Sequence, residues 1–163
     1  METKQKIVKT AKVCGIIAKV LYLLACVECV TLIVLAVVLP KVHPLDPLTP
    51  KETAVQLATL ALQAFILIGL LWNVEGIFKT IAAEQTPFAE RVGHYLKKTA
   101  IFTIVLAVVP AIVGTALAQI LCKGTELVFP TEAGGVVIGV VLLLIGVFFK
   151  YGTELQKKDD ETL

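Results

Sequence analysis

Charged side chains are scarce in this sequence of 163 residues. Asp, Glu, Lys and Arg make up 17% of it, whereas hydrophobic residues make up 57%. In an average soluble domain, about a quarter of the residues are charged, so this composition excludes an ordinary soluble fold. The mean hydropathy of +0.87 is typical of membrane proteins. We therefore expect one membrane domain to account for the whole chain, 1–163.

Histidine is also scarce, and the sequence has no catalytic motif. Its two histidines, His43 and His94, are far apart, and no Cys/His cluster has the spacing of a zinc site. We find no phosphate-binding loop and no nucleophile-base pair. The expectation is a protein with no catalytic residue, no metal and no cofactor, which is not an enzyme. No basic patch predicts direct binding of nucleic acid either.

The four cysteines include one CxxC motif, formed by Cys26 and Cys29. This motif is typical of disulfide-exchanging oxidoreductases, whose thiols must meet a partner dithiol or a quinone. Here it lies in the middle of a long apolar stretch, where a second dithiol has no access. We interpret both cysteines as small packing residues.

Four apolar stretches have roughly the length needed to cross the hydrocarbon core, about 20 residues. The sequence therefore predicts an all-α membrane protein, with four transmembrane helices in an antiparallel bundle. Long connections are expected at 79–98 and in the tail, 150–163. The predicted spans are 13–39, 54–78, 99–121 and 133–149.

Prolines and caps predict where these helices begin and end. The segment 40–53 contains four prolines, which favour an extended connector rather than helix. Thr49, Pro50 and Glu52 have the pattern of a capping box with proline at the first helical position. Pro110 lies inside the third span, and we expect a kink there unless neighbours satisfy the freed carbonyl.

Glycines at helical spacing predict close helix crossings in the third and fourth spans. Small residues let two membrane helices approach each other closely, so these positions are interpreted as contacts between helices. They are Gly114, Gly135, Gly139 and Gly146.

The basic residues predict the orientation. Eleven lie in the N-terminal segment, the 79–98 connection and the tail, whereas three lie in the other two loops. The positive-inside rule then places the N- and C-termini in the cytoplasm. The expected location is the cytoplasmic membrane, as a multi-pass protein.

Glu28 is the most conspicuous polar residue, because it lies about halfway along the first span. A carboxylate at that depth costs at least a few kcal/mol unless it is neutralised, paired or hydrated. Gln63 lies at a similar depth in the second span, so a hydrogen bond between them would form an intramembrane polar pair. The alternatives are a proton- or cation-coupling acid in a small oligomeric transporter, and a pair with a basic residue of a partner.

Two short motifs resemble a known family. Thr86-Pro87-Phe88-Ala89-Glu90 and the stretch 149–156, which begins Phe149-Lys150-Tyr151, are similar to the paired signatures of a bacterial four-span family, domain of unknown function 2975. That resemblance implies the membrane component of a signalling or regulatory pair, whose partner is a cytosolic helix-turn-helix regulator. The family has no catalytic residues to carry over.

These observations favour a non-enzymatic interaction or regulatory protein. Beyond the lipid bilayer, the expected partners are a cytosolic helix-turn-helix regulator or another membrane protein, and a homo-oligomer is possible. The candidate partner surface consists of Thr86, Pro87, Phe88, Glu90, Tyr151, Gly152, Glu154 and Leu155.

Overall fold

The computed structural model describes residues 2–42, 49–122 and 128–161. These residues form four α-helices and no strand. Each helix contains a stretch long and apolar enough to cross a membrane. This is the architecture of an all-helical, multi-pass membrane protein. The helices are α1 (Glu2–Val42), α2 (Pro50–Glu84), α3 (Glu90–Leu121) and α4 (Ala133–Glu161).

The helices extend beyond the predicted spans. Most of the 79–98 connection is helical, because α2 continues to Glu84 and α3 begins at Glu90, with only a short turn between them. The third span is therefore entered directly from the turn. Helix α4 likewise continues through the predicted tail as far as Glu161.

The start of α2 confirms the predicted capping box. The Glu52 N–H donates to the Thr49 hydroxyl at 3.4 Å, and the Thr49 N–H donates to the Glu52 carboxylate at 2.6 Å. Pro50 occupies the first turn, where its missing N–H costs nothing.

The prediction that the segment beginning at Pro40 lacks helix is wrong at its start, whereas the helix start predicted at Pro50 is confirmed. Helix α1 continues through Pro40 to Val42, and α2 already begins at Pro50. A proline in the last turn of a helix removes only one donor close to the end, which a long apolar helix tolerates. His43 and the rest of 43–48 lie outside the described residues.

Helix α3 continues without interruption through Pro110, which is buried. The carbonyl of Ala107, one turn before this proline, accepts the N–H of Glu132 at 3.2 Å. Pro110 lacks the N–H that would serve the carbonyl of Leu106, four residues earlier, so the bond from Glu132 to Ala107 is a separate contact between α3 and the chain that leads into α4.

The four helices form an open bundle arranged as a row. Helix α1 packs on α2, α2 on α3 and α3 on α4. Among the described residues, no other pair of helices comes within 8 Å between Cα atoms. Helices α2 and α3 are therefore the middle of the row, and α1 and α4 are its edges.

Small residues make the contact between α1 and α2. Ala11, Ala18, Ala25 and Cys29 are buried at intervals of seven and four residues, so they share one side of α1. A methyl group added at Gly15 would lie 3.6 Å from Cβ of Phe78. The Cys29 thiol donates to the carbonyl of Ala61 at 3.7 Å.

Two of the polar side chains buried on α2 form hydrogen bonds within their own helix. The hydroxyl of Thr59 donates to the carbonyl of Val55 at 2.8 Å, and the amide of Asn73 donates to the carbonyl of Gly69 at 2.6 Å. Such bonds to the preceding turn let polar groups face an apolar neighbour without leaving a donor unpaired.

Candidate functional site

Phe88 brings the two motif segments together. It lies in the turn between α2 and α3, and its ring centroid is 5.5 Å from that of Phe149 on α4. A Cβ atom added at Gly152 would lie 3.0 Å from the Phe88 ring. The segments 86–90 and 149–155, which are far apart in sequence, therefore form one surface.

A hydrogen bond reinforces this contact. The hydroxyl of Thr153 lies 2.8 Å from the carbonyl oxygen of Phe88 and 2.9 Å from that of Phe149. A hydroxyl has a single proton, so the two carbonyls share it. Thr153 thereby joins the turn before α3 to the C-terminal part of α4.

The turn itself is defined by local chemistry. Gln85 ends α2 in a left-handed conformation with φ of 56°. The Thr86 hydroxyl then accepts the N–H of Phe88 at 3.2 Å, and the N–H of Val92 donates to the carbonyl of Ala89 at 2.9 Å as α3 begins. These bonds fix the position from which Phe88 reaches α4.

A groove of about 460 Å³ lies beside Phe88, between α3 and α4. Its lining has acids and bases from both helices, together with the apolar side chains of Leu143 and Val147. Lys150 and Glu154 lie 3.9 Å apart, but both side chains are largely exposed, so this ion pair contributes little to stability. The lining residues are Glu90, Gly93, His94, Lys97, Leu143, Gly146, Val147, Lys150, Thr153 and Glu154.

The predicted partner surface divides into packing and outward-facing residues. Thr86, Pro87 and Gly152 are half-buried at the contact. Tyr151 and Leu155 are exposed by 62% and 65%. Glu90, Glu154 and part of the Phe88 ring are also exposed, so this surface offers both apolar and acidic groups.

The predicted pair of Glu28 and Gln63 is not joined by a hydrogen bond in the described part of the chain. Glu28 is exposed, and Gln63 is half-buried. The neighbouring Cys29 faces α2 instead. Successive helical residues point about 100° apart, so Glu28 points to the side of this contact.

The four predicted packing glycines all lie near a neighbouring element. A Cβ atom at Gly114 would lie 2.8 Å from the Thr59 hydroxyl oxygen, and one at Gly135 would lie 2.8 Å from Cβ of Ala107. Gly139 faces the side chain of Ile104. Gly146 has more room, with Leu96 at 4.0 Å.

The four cysteines, which all lie in the described part of the chain, form no disulfide, and the described residues contain no group of three or more His, Cys, Asp or Glu side chains that could hold a metal ion. Cys26 is half-buried and Cys29 is buried, both on α1. The CxxC motif therefore lies on a continuous helix, with Cys29 taken up by the contact with α2.

Sequence reasoning missed two features of the site. Thr153 lies within the second motif but was not selected, although Phe149 and Thr153 are four residues apart and share a helix face. The second feature is Glu132, whose position beside α3 is described below. The sequence did contain an indication that α4 starts deep in the membrane. The fourth apolar stretch, 133–149, has only 17 residues, which is short for a full span.

Comparisons with models of protein families, with curated proteins and with solved structures found no match to this chain.

Proposed function

We propose that this protein is a non-enzymatic component of a bacterial cytoplasmic membrane that binds a cytosolic regulatory protein. The binding surface consists of 86–90 and 151–155. The observation that carries the proposal is the contact of Phe88 with Phe149, Gly152 and Thr153, which makes one surface of two segments.

The proposal includes an antiparallel arrangement with both termini in the cytoplasm. Contacts progress in opposite directions along neighbouring helices: Gly15 faces Phe78, and Cys29 faces Ala61. The ends of α2 and α4 and the starts of α1 and α3 then share one side. That side carries most of the lysines and arginines, as the positive-inside rule requires of cytoplasmic segments.

The orientation can be tested with two exposed lysines. In a variant without native cysteines, Lys51→Cys should react with an impermeant thiol reagent added outside intact cells, whereas Lys158→Cys should react only after lysis. Labelling of Lys158→Cys in intact cells would reverse the topology and place the proposed surface outside the cytoplasm.

The chemistry of the surface fits a protein partner. Tyr151 and Leu155 are exposed just beyond the Phe88 contact, where each can fill a pocket of a bound protein. The sequence that follows contains Asp159, Asp160 and Glu161, which a basic regulator attracts and anionic lipid repels. The resemblance to domain of unknown function 2975 makes a helix-turn-helix regulator the proposed partner.

Photocrosslinking separates a partner surface from a lipid anchor. A photoreactive phenylalanine analogue should replace Tyr151 in one variant and Trp72 in the control. Both side chains are aromatic and exposed, by 62% and 59%. We expect a cytosolic protein to be crosslinked from position 151 and only lipid from position 72. If position 151 also yields only lipid, Tyr151 is an interfacial anchor and the proposal is wrong.

A second candidate function is coupled transport through Glu28, favoured by the exposure of this carboxyl group in the middle of α1. Proton-linked uptake of a solute into vesicles that is abolished by Glu28→Gln, with folding preserved, would establish that function. Uptake equal to that of empty vesicles would exclude it.

A further inference from the structure

A second acidic residue lies at membrane depth on the opposite edge of the row. Residues 128–132 are not helical, and they lie along the side of α3 rather than beyond its C-terminal end. The N–H of Phe129 donates to the hydroxyl of Thr115, and the N–H of Glu132 donates to the carbonyl of Ala107, both at 3.2 Å. Helix α4 therefore begins beside the middle of α3.

The helix contacts show that Glu28 and Glu132 lie at similar depth. Gly15 of α1 lies beside Phe78 of α2, and Gly76 of α2 lies beside Tyr95 of α3. Contacts progress in opposite directions along these helices, so position 74 of α2 is level with Lys19 of α1 and with Lys97 of α3. Glu28 is nine residues beyond Lys19, which is about 13 Å along the helix.

Ala107, the partner of Glu132, is ten residues beyond Lys97 along α3, or about 15 Å. The two acids therefore differ in depth by less than about one helical turn. If the charged Lys19 and Lys97 mark the cytoplasmic boundary of the hydrocarbon core, both acids lie near the centre of its thickness of about 30 Å.

Both edges expose polar groups at this depth. Glu28 and Glu132 are exposed, as are Val128, Pro130 and Thr131 of the non-helical segment. Non-helical backbone at membrane depth occurs only where protein or a water-filled cavity covers it. A carboxyl group exposed to lipid at the midplane is equally unfavourable. Among the described residues, nothing in the row of four helices meets either requirement.

We propose that a second copy of this chain covers these positions, with the Glu28 side of α1 in one copy against 128–132 and the start of α4 in its neighbour. The two surfaces are complementary, because the carboxyl group of Glu28 can form a hydrogen bond with the backbone groups that a non-helical segment presents. They also match in depth, so two copies can meet without shifting across the membrane.

The low burial of the edges leaves room for such a neighbour. Only 11% of the apolar window of α1 and 6% of that of α4 are buried, against 33% for α2 and 28% for α3. The two surfaces lie on different edges, so the contact is head-to-tail. Repetition of this contact closes a ring when the rotation between copies permits it.

Disulfide crosslinking in native membranes tests this arrangement. Two variants without native cysteines carry single cysteines: Val27→Cys, whose native side chain is 64% exposed, and Gly134→Cys, which has open space around it. They carry different affinity tags, and each is oxidised alone and after co-expression. A crosslinked dimer bearing both tags is expected after co-expression, with little dimer from either variant alone.

The depth control pairs Val27→Cys with Val147→Cys, another exposed position on α4. Position 147 is 13 residues beyond Gly134, or about 20 Å along the helix, so no mixed dimer is expected. Dimers from single variants only would show a two-fold contact between like edges and overturn the proposal. Absence of the mixed dimer would overturn it as well.

Substitutions of Glu28 test the hydrogen bond. Glu28→Gln keeps a polar side chain that can both donate and accept a hydrogen bond, so the mixed-dimer fraction should stay unchanged. Glu28→Leu should lower it about three- to fivefold, the effect of losing one hydrogen bond between membrane helices. If Glu28→Leu forms as much mixed dimer as the native residue, the carboxyl group is not covered in this way and the proposal fails.

Discussion

The middle helices and the edge helices of the row have similar apolar sequences but different surroundings. All four contain a stretch able to cross a membrane. Helices α2 and α3 contact a neighbour on both sides, whereas α1 and α4 contact a neighbour on one side only. Hydropathy therefore identifies the spans but does not indicate which of them are central.

The difference lies in small and polar residues. On α3, Ala100 and Ala107 are buried among contacts with α4, and Gly114 meets Thr59 of α2. On α1, the buried positions of the apolar stretch form a single stripe that ends at Cys29. Since lipid is as apolar as leucine, close approach of small residues stabilises the contacts that hydrophobicity cannot.

The largest expected effect on stability comes from placing a large side chain in the contact between α2 and α3. Gly114→Leu should lower the free energy of unfolding in detergent by about 3 kcal/mol, because overpacking forces Thr59 and Phe129 away. Gly93→Leu is the control on the same helix, with nothing within 4 Å of its added Cβ. Leucine has a higher helix propensity than glycine, so Gly93→Leu should not destabilise. Equal losses in the two variants would mean that the contacts of Gly114 are not the cause.

Truncating a leucine compares a middle helix with an edge directly. Leu57 of α2 is 6% exposed and Leu24 of α1 is 60% exposed. Leu57→Ala should destabilise by about 2 kcal/mol through the cavity it leaves, and Leu24→Ala by less than about 0.5 kcal/mol, as is usual for surface positions. Thermal unfolding in detergent measures both. A large loss for Leu24→Ala in membranes that vanishes in detergent would instead indicate a covered edge.

The capping box of α2 should contribute a smaller amount. Thr49→Ala removes the hydroxyl that accepts the Glu52 N–H and should cost about 1 kcal/mol. Thr31→Ala on α1 is the matched control, because the Thr31 hydroxyl only returns to the carbonyl of Val27 in its own helix. A loss for Thr31→Ala as large as that for Thr49→Ala would show that the cap itself is not responsible.

The smallest effect concerns the ion pair on the outgoing end of α4. Lys150→Ala should change stability by about 0.3 kcal/mol at low salt and by nothing measurable at high salt. A double-mutant cycle with Glu154→Ala isolates this pair. A coupling energy above about 1 kcal/mol would mean that the pair is held by further contacts in the groove.

The sequence predicted local features well because neighbouring residues determine them. The number of spans follows from apolar runs, and the start of α2 follows from Thr49, Pro50 and Glu52. The end of α1 was predicted less well, because the propensity of Pro40 to end a helix was outweighed by the long apolar helix before it.

The placement of side chains at the contacts was harder to predict. Glu28 and Cys29 are adjacent, and nothing in the composition of α1 determines which of them faces α2. The choice depends on which stripe of α1 can approach most closely, and the stripe of Ala18, Ala25 and Cys29 has the smallest side chains. The depth of Glu132 depends on a hydrogen bond to Ala107, 25 residues earlier in the chain, which no local pattern reveals.

The continuation of α4 to Glu161 gives the protein a helical extension beyond its apolar stretch. Twelve residues beyond Phe149 continue as helix, which corresponds to about 18 Å. The start of this extension contacts the turn between α2 and α3, through the rings of Phe88 and Phe149 and the hydrogen bond from Thr153 to Phe88. A displacement of this helical end would act on the turn between α2 and α3 through the contacts of Phe88 and Thr153.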